Sequence, residues 1–363
     1  MPAEPDMRLM TDLLAAADGP ADLSPGWPAG LWRILADFEA FRWLVPTEFG
    51  GDGFDRPTLM RRYMGIARGS LTAAFMLTQH DAALRRLIPV ALEKPDSPAA
   101  SWLREVAAVR CTLTVGISQL TTSIRRGERA MSATPLENGG YRLDGSMPWV
   151  TGAEKAAAFV TGGTLEDGRQ VLVLLPAERE GIAIDTPERL AALNASRTTE
   201  VRCDGVMIDP AEVLAGPVEN VITSRQAGGT GGLETSALAL GQAQAAIKAM
   251  KDEDPDRFSL AGPVAELQQE LDSLETDLFD FLAGSATGLT PEIIRRRAND
   301  LVSRATQACL ITRRGSGFLL TDPAQRWARQ SLFFHVWSCP RPVATASIRG
   351  LAGMGEPPTC GIS

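Results

Sequence analysis

The chain has 363 residues, of which 44% are hydrophobic and 22% charged, with a formal net charge of −8. That length exceeds what one hydrophobic core serves, so two or three domains are expected. The acidic balance, with no basic stripe to offset it, argues against a nucleic-acid partner. No apolar run reaches the roughly 18 residues that a membrane span needs.

The five cysteines, Cys111, Cys203, Cys309, Cys339 and Cys360, are scattered and never spaced as Cys-x-x-Cys. This pattern fits reduced thiols in a cytoplasmic protein better than a disulfide frame or a zinc site. Two histidines, His80 and His335, are too few for a His-rich metal centre. The first residues have neither a basic stretch nor an apolar core, so no secretory signal is expected.

Residues 1–108 read as helical. Apolar residues recur at three- and four-residue spacing through Met10, Leu13 and Leu14, and again through Leu31, Leu35 and Phe38. Pro20, Pro25 and Pro28 punctuate these segments. From Pro46 to Gly53 one proline and three glycines make a tight loop. Helices are predicted over Leu59 to Arg68 and Ser70 to Leu87, with a loop near Pro95 to Pro98. His80, inside the second helix, is expected to make an interior hydrogen bond rather than to do chemistry.

Residues 109–216 change to strand character. Strands are predicted at Cys111 to Ile117, Ala130 to Thr134, Tyr141 to Leu143, Ala156 to Thr161, Gln170 to Leu175, Ile182 to Ile184 and Thr199 to Met207, with Gly and Asp turns between them. Such repetition reads as a small barrel or sandwich. Beyond Leu143 the chain runs into Trp149-Val150-Thr151. Residues two apart on a strand share a face. An indole and a hydroxyl so placed suit a flat heteroaromatic ring, stacked on one side and hydrogen-bonded at its edge. A core Trp beside a surface Thr is the alternative.

Residues 219–352 return to helix. The run Gly228-Gly229-Thr230-Gly231-Gly232 reads as a hinge. It fits neither a dinucleotide fingerprint nor a P-loop, because no strand precedes it and no Lys-Ser/Thr follows. Helices at Leu233 to Met250, Val264 to Leu282, Pro291 to Arg314 and about Ala324 to Val336 make a four-helix bundle. Residues 353–363 read as a loose tail.

Three of these stretches resemble the acyl-CoA dehydrogenase family. Pro46 to Gly53 is similar to its Pro-x-x-(Tyr/Phe)-Gly-Gly-x-Gly loop. Gly145 to Thr151 is similar to its Gly-x-Lys-x-Trp-Ile-Thr segment, with Met147 in the Lys place. Gly317 to Gln330 is similar to its Gly-Tyr, Pro, Arg-Asp segment. The resemblance implies an α+β multidomain fold: an N-terminal helical domain, a central β-barrel and a C-terminal four-helix bundle. It implies FAD, with Trp149 and Thr151 against the flavin ring. It puts Ser118 and Gln119 at a corner where the family has Thr-Glu-Pro, also at the flavin. It puts Arg257 at the pyrophosphate and Gln268 near the adenosine part. A guanidinium fork suits two phosphate oxygens, but Asp254 and Asp256 compete for Arg257 and Pro255 interrupts the helix there. Assembly as a homodimer or homotetramer through the bundle, an acyl-CoA substrate and an electron-transfer partner are further implications.

The same resemblance locates the catalytic question. Where the family reads aromatic-Glu-Gly-Thr, this chain reads Trp337-Ser338-Cys339-Pro340. The family's Glu removes the α-proton of an acyl thioester while hydride leaves the β-carbon. A serine hydroxyl has no such basicity unless another group activates it. Some members carry the base on the first bundle helix, at the place of Gly231, and Glu234 lies one turn on. Glu234 is therefore a candidate displaced base; alternatively it is a first-turn carboxylate favoured by the helix dipole. His335 lies near a histidine of the family's monooxygenase branch. Arg326 and Arg329 are expected to pair with Asp322 or with helix C-termini. Three readings follow: acyl-thioester dehydrogenation with the base displaced or missing, a flavin-dependent monooxygenase of the same fold, or a non-catalytic flavin-binding paralogue.

Overall fold

The structure, a computed structural model, describes residues 6–121, 130–223, 232–253 and 260–354. Five helices open the chain: α1 (Met7–Leu23), α2 (Ala29–Asp37), α3 (Arg56–Gly69), α4 (Leu71–Glu93) and α5 (Pro98–Ala107). Asp6 caps α1 by accepting from the Arg8 and Leu9 amides, both at 3.0 Å. The Pro46–Gly53 loop is fixed by close backbone approach. A Cβ on Gly51 would lie 2.1 Å from the Val45 carbonyl oxygen, so only glycine fits.

Eight strands follow: β1 (Leu113–Val115), β2 (Met131–Pro135), β3 (Tyr141–Val150), β4 (Ala158–Thr164), β5 (Gln170–Pro176), β6 (Ile182–Ile184), β7 (Thr199–Ile208) and β8 (Val213–Val218). They form one mixed sheet in the order β6-β7-β3-β2-β4-β5-β8, with β1 parallel to β4. The sheet wraps a core of its own, including Leu143, Val150, Phe159, Val173 and Val206. The alternate residues Val160, Leu172 and Leu174 face outward and pack with Leu84 and Leu87 of α4 and Leu103 and Val106 of α5. Strands β4 and β5 are thus buried on both faces, which explains their unbroken apolar sequence.

The remaining helices are α6 (Leu233–Lys251), α7 (Ala261–Ala283), α8 (Pro291–Gly317), α9 (Pro323–Ser331), α10 (Phe333–Val336) and α11 (Arg341–Leu351). α6 is central and packs on α3, α7, α8 and α9. It crosses α3 so closely that a Cβ on Gly241 would meet the Met64 carbonyl oxygen at 2.3 Å. Helices from both ends of the chain share one hydrophobic core. Two ion pairs join them: Asp18–Arg326 at 2.7 Å, almost fully buried, and Asp22–Arg329 at 2.6 Å. The expected pairing of these arginines with Asp322 or helix ends is therefore corrected. α1 brings the acids, and Asp322 instead caps α9 through the Ala324 amide at 2.8 Å.

His80 is buried on α4 as expected. Its Nε2 lies 3.1 Å from the Phe41 carbonyl oxygen, and its Nδ1 accepts from the Leu113 amide at 3.0 Å. The ring is therefore neutral, with its proton on Nε2. Burial lowers its pKa to about 4, against the raising pull of its two backbone hydrogen bonds. In the unfolded chain the value is the ordinary 6.5. Between these values the unfolded state holds the extra proton, so stability is full above pH 6.5 and falls toward pH 4. The shift corresponds to about 3 kcal/mol. Urea unfolding at a series of pH values is expected to show that loss in the wild type and a correspondingly smaller loss in His80→Gln.

Candidate functional site

The site starts where β3 stops alternating. Its early residues obey period two: Tyr141 and Leu143 are buried and Arg142 is exposed. The β3–β7 ladder then slips twice, between Leu143 and Gly145 and between Met147 and Val150. After the second slip Val150 points into the core while Trp149 stands 42% exposed. Thr151 leaves the strand for a turn at Gly152, which has φ +65°. The expectation that Trp149 and Thr151 share one strand face is corrected, because the strand ends between them. The indole faces out and the Thr151 side chain turns inward.

Thr151 is held from both sides. Its carbonyl accepts from Thr114 Oγ1 at 2.9 Å, and its own Oγ1 lies 3.0 Å from Thr198 Oγ1. Thr198 Oγ1 in turn lies 2.8 Å from Ser196 Oγ. Ser196 also accepts the Gly152 amide on its carbonyl at 3.0 Å. Beside Thr151 a narrow recess of about 10 Å³, room for little more than one water, is lined by Trp32, Met76, Leu113, Thr114 and Gly152 among others. Neither Thr198 nor Ser196 was singled out from the sequence.

A helical turn at Ser118–Leu120 packs on β3. Gln119 Nε2 donates to the Gly116 carbonyl, Thr161 Oγ1 and the Gly162 carbonyl at 2.8, 2.9 and 3.0 Å. Gln119 Oε1 and Ser118 Oγ are both buried and without a partner. A buried acceptor or hydroxyl left unmatched is uncommon in a folded chain, and here two such atoms flank the strand that bears Trp149.

Glu234 sits elsewhere, in a buried cluster of α3, α4 and α6. Its Oε1 lies 3.1 Å from Arg85 and 3.7 Å from Arg56, and its Oε2 is buried without a partner. Tyr63 donates a short hydrogen bond to Asp81, and Arg85 donates to the Tyr63 oxygen at 3.4 Å. Burial pushes Asp81 up to about 7 despite the pull of Arg85, and burial with the Asp81 charge pushes Tyr63 well above its ordinary value. Arg85 loses by desolvation, yet Tyr63, Glu234 and Asp81 together raise its pKa. The i,i+4 pair Asp81 and Arg85 was visible in the sequence as a possible helix pair; its partner Tyr63 was not.

Helix α4 measures how these places relate. Phe75 meets the Trp337 ring edge-on at 4.8 Å, and its neighbour Met76 lines the recess by Thr151. The segment carrying Ser338 thus reaches the same turn of α4 as the recess. Arg85, which holds Glu234, lies nine residues beyond Met76, about 13 Å along the helix axis. Ser338 is exposed with φ +44°. His335 Nε2 is 2.8 Å from Ser303 Oγ, which donates to the Asn299 carbonyl at 2.7 Å. Nε2 therefore carries the proton, and Nδ1 is buried without a partner. Burial lowers the His335 pKa, with Asp300 pulling it up. Gln268 lies in the first half of α7, where it accepts from Lys251 Nζ at 2.7 Å and donates to Asp272 at 2.6 Å. Arg257, Gly231 and Cys360 lie outside the described residues. Those residues also show no group of three or more His, Cys, Asp or Glu that could hold a metal ion.

No family model matches the chain. It is 23% identical over 265 residues to the 3-(aryl)acrylate reductase of Clostridium sporogenes, covering 71% of this chain and 69% of that protein. It is 24% identical over 317 residues to the benzylmalonyl-CoA dehydrogenase of Aromatoleum aromaticum, covering 83% and 76%. A dibenzothiophene monooxygenase of Rhodococcus erythropolis is 28% identical over 184 residues, covering 48% of this chain and 42% of that protein. Among solved structures, butyryl-CoA dehydrogenase of Megasphaera elsdenii superposes with a TM-score of 0.77 at 15% identity, covering 97% of this chain and 98% of that one. A glutaryl-coenzyme A dehydrogenase complex gives 0.78 at 17% identity, covering 96% and 94%. The chain has the acyl-CoA dehydrogenase fold, and its relatives are acyl-CoA dehydrogenases and their kin; the resemblance read from the sequence holds.

Because Glu234 closes a buried ion pair, Glu234→Gln leaves Arg85 without its acid partner. A loss of about 3 kcal/mol is expected, readable as a lower urea midpoint with an unchanged slope.

Proposed function

We propose that the chain is a flavin-dependent oxidoreductase that moves an electron pair between a small-molecule substrate and FAD. The observation that carries this reading is the exposed indole of Trp149 on β3, the strand on which the turn bearing the buried, unpartnered Ser118 Oγ and Gln119 Oε1 packs. A flavin offers what such a site lacks: a broad apolar face for the indole and polar edges for the orphaned atoms. When bound, the flavin supplies the electron-pair acceptor. Trp149 gives the stacking plane and Ser118 and Gln119 the flanking hydrogen bonds, whereas the Thr151 hydroxyl is turned inward onto Thr198. Gln268 reaches an adenosine only by releasing Lys251 and Asp272, and Arg257 remains the candidate for the pyrophosphate.

The relatives' names point to acyl-CoA substrates and to CH–CH oxidation or its reverse. Here the geometry is less obliging. Ser338 stands in the place of the family's base, and Glu234 is committed to Arg85 further along α4. A second reading, flavin-dependent oxygenation, is favoured by that same observation, since an oxidant made from reduced flavin and oxygen asks for no carboxylate at 338. We assign assembly as a homodimer or homotetramer to the bundle side, where Ile311, Phe318, Leu319 and Leu320 are exposed.

The visible spectrum of the purified protein tests the reading. Flavin bands, or their recovery on adding FAD or FMN, are expected; a colourless protein that binds neither overturns it. Trp149→Ala is expected to weaken flavin binding about tenfold, on the order of 1 kcal/mol of lost stacking, with little change in thermal stability because the indole is half in solvent. Anaerobic bleaching by a panel of acyl-CoAs marks dehydrogenation, whereas oxygen uptake with a supply of reduced flavin marks oxygenation. Glu234→Gln is expected to bleach as fast as wild type.

A further inference from the structure

Four arginines among the described residues are less than a tenth exposed: Arg62, Arg86, Arg295 and Arg326. A buried guanidinium is unfavourable unless the fold answers its charge and its donors. Three of the four are answered. Arg62 lies over the rings of Trp43 and Phe54. Arg326 pairs with Asp18. Arg295 donates to the Asn299 side chain and to two main-chain carbonyls.

Arg86, on α4, is not answered. It is 3% exposed. Among the described residues its side chain makes one hydrogen bond, from Nη1 to the Ala82 carbonyl at 2.6 Å, and its Nε is buried without a partner. The charge that acts on it is that of Arg85, which repels. The acids of this helix's surroundings are engaged elsewhere: Tyr63 donates to Asp81, and Arg85 pairs with Glu234. Burial and Arg85 lower the Arg86 pKa only to about 10, so the cation persists at neutral pH. The bond to Ala82 uses one arm of the fork and leaves the Nε–Nη2 edge open. That edge presents two parallel N–H groups, the geometry that takes both oxygens of a carboxylate.

Phe75, Gln79, Ala82 and Arg86 recur at three- and four-residue spacing and so form one stripe of α4. Helical side chains lean toward the N-terminus of their helix, and the bond to Ala82 shows Arg86 doing so. Its fork is therefore carried back along the stripe toward Gln79. Gln79 and Ala82 are half-buried, so this part of the stripe is the accessible one. The Gln79 amide makes no hydrogen bond among the described residues.

We infer that Arg86 is the receptor for a carboxylate on a small-molecule ligand, taken side-on by the Nε–Nη2 edge with Gln79 as a second polar contact. The ligand brings the counter-charge that the fold does not. Binding is non-covalent and needs no bound flavin, so the inference goes beyond the flavin reading and does not depend on it.

The stability of the free protein carries the sign. An arginine that serves the fold stabilises it, and its removal is a loss. A buried cation that serves a ligand destabilises the fold until the ligand arrives, so an apolar replacement relieves the free protein.

Urea unfolding and calorimetric titration test this. Two neutral variants of different shape, Arg86→Met and Arg86→Leu, separate a packing misfit from a lost role. In the ligand-free protein at least one of them is expected to unfold at or above the wild-type midpoint. Butyrate, benzoate, phenylacetate and glutarate are then added at constant ionic strength, each beside its neutral amide. At least one acid is expected to raise the wild-type midpoint where its amide does not, and to bind the neutral variants at least about tenfold more weakly. Midpoints below wild type in both ligand-free variants overturn the inference. So does a wild type that responds to none of these acids, or an acid that acts equally on wild type and variants. A protein that binds an acid through Arg86 and takes no flavin overturns the flavin reading alone.

Discussion

A helix buried on nearly every side must find a partner inside the protein for each polar group it carries, and α4 is under that constraint throughout. It runs between the sheet and the two sets of helices, with Thr72, Thr78, His80, Asp81 and Arg86 all under about a tenth exposed. An unpaired polar atom in such a place is strongly unfavourable. His80 answers by joining Phe41 to Leu113, and so fixes the entry to β1 against the N-terminal helices. Asp81 and Arg85 answer by reaching Tyr63 on α3 and Glu234 on α6. The positions of three other elements are thus set by what α4 needs. The same helix presents Phe75 and Met76 to the C-terminal segment and the recess. Arg86 is the least well answered: one bond to the Ala82 carbonyl at 2.6 Å, and an Nε with none. Burial and the neighbouring Arg85 lower its pKa to about 10.

This constraint also separates two sets of charged and polar groups that a linear reading runs together. Glu234 belongs to the polar interior that locks α3, α4 and α6, and an acid so used is poorly placed to shuttle protons. Ser118 and Gln119, on the turn that packs against β3, carry a neutral hydroxyl and a neutral amide. Neutral donors and acceptors can be exchanged for a ligand's at little electrostatic cost, which a committed ion pair cannot.

What the sequence made legible divides along physical lines. Period-two and period-3.6 patterns located the strands at Ile182–Ile184 and Gln170–Pro176 and the helices α6 and α8 nearly to the residue, because local burial dictates them. β8 escaped because Gly216-Pro217 reads as a turn, and only an edge strand tolerates such a pair. α5 and α11 escaped because Pro98 and Pro342 read as breakers when they serve as first-turn residues. In the site, Trp149 was legible because its exposure follows from its own strand. Thr198 and Ser196 were not, since their link to Thr151 depends on how β7 and its preceding turn lie along β3. The staple from Asp18 to Arg326 joins the two ends of the chain and leaves no local trace.

The segment at Trp337–Ser338 shows why a missing glutamate need not mean an empty position. Its main chain is held from below by Arg295, which is 3% exposed and donates to Asn299 Oδ1 at 2.9 Å and to the Phe334 and Trp337 carbonyls at 3.3 and 3.1 Å. These partners are all neutral. Burial lowers the Arg295 pKa to about 10, with Cys339 pulling the other way, so the guanidinium stays charged near neutrality. A carboxylate at 338 would stand close to that cation, which stabilises the ionised form and weakens it as a proton acceptor. A base that must take an α-proton wants the opposite surroundings. Serine at 338 and an arginine beneath it that is bonded to neutral partners are therefore consistent with each other.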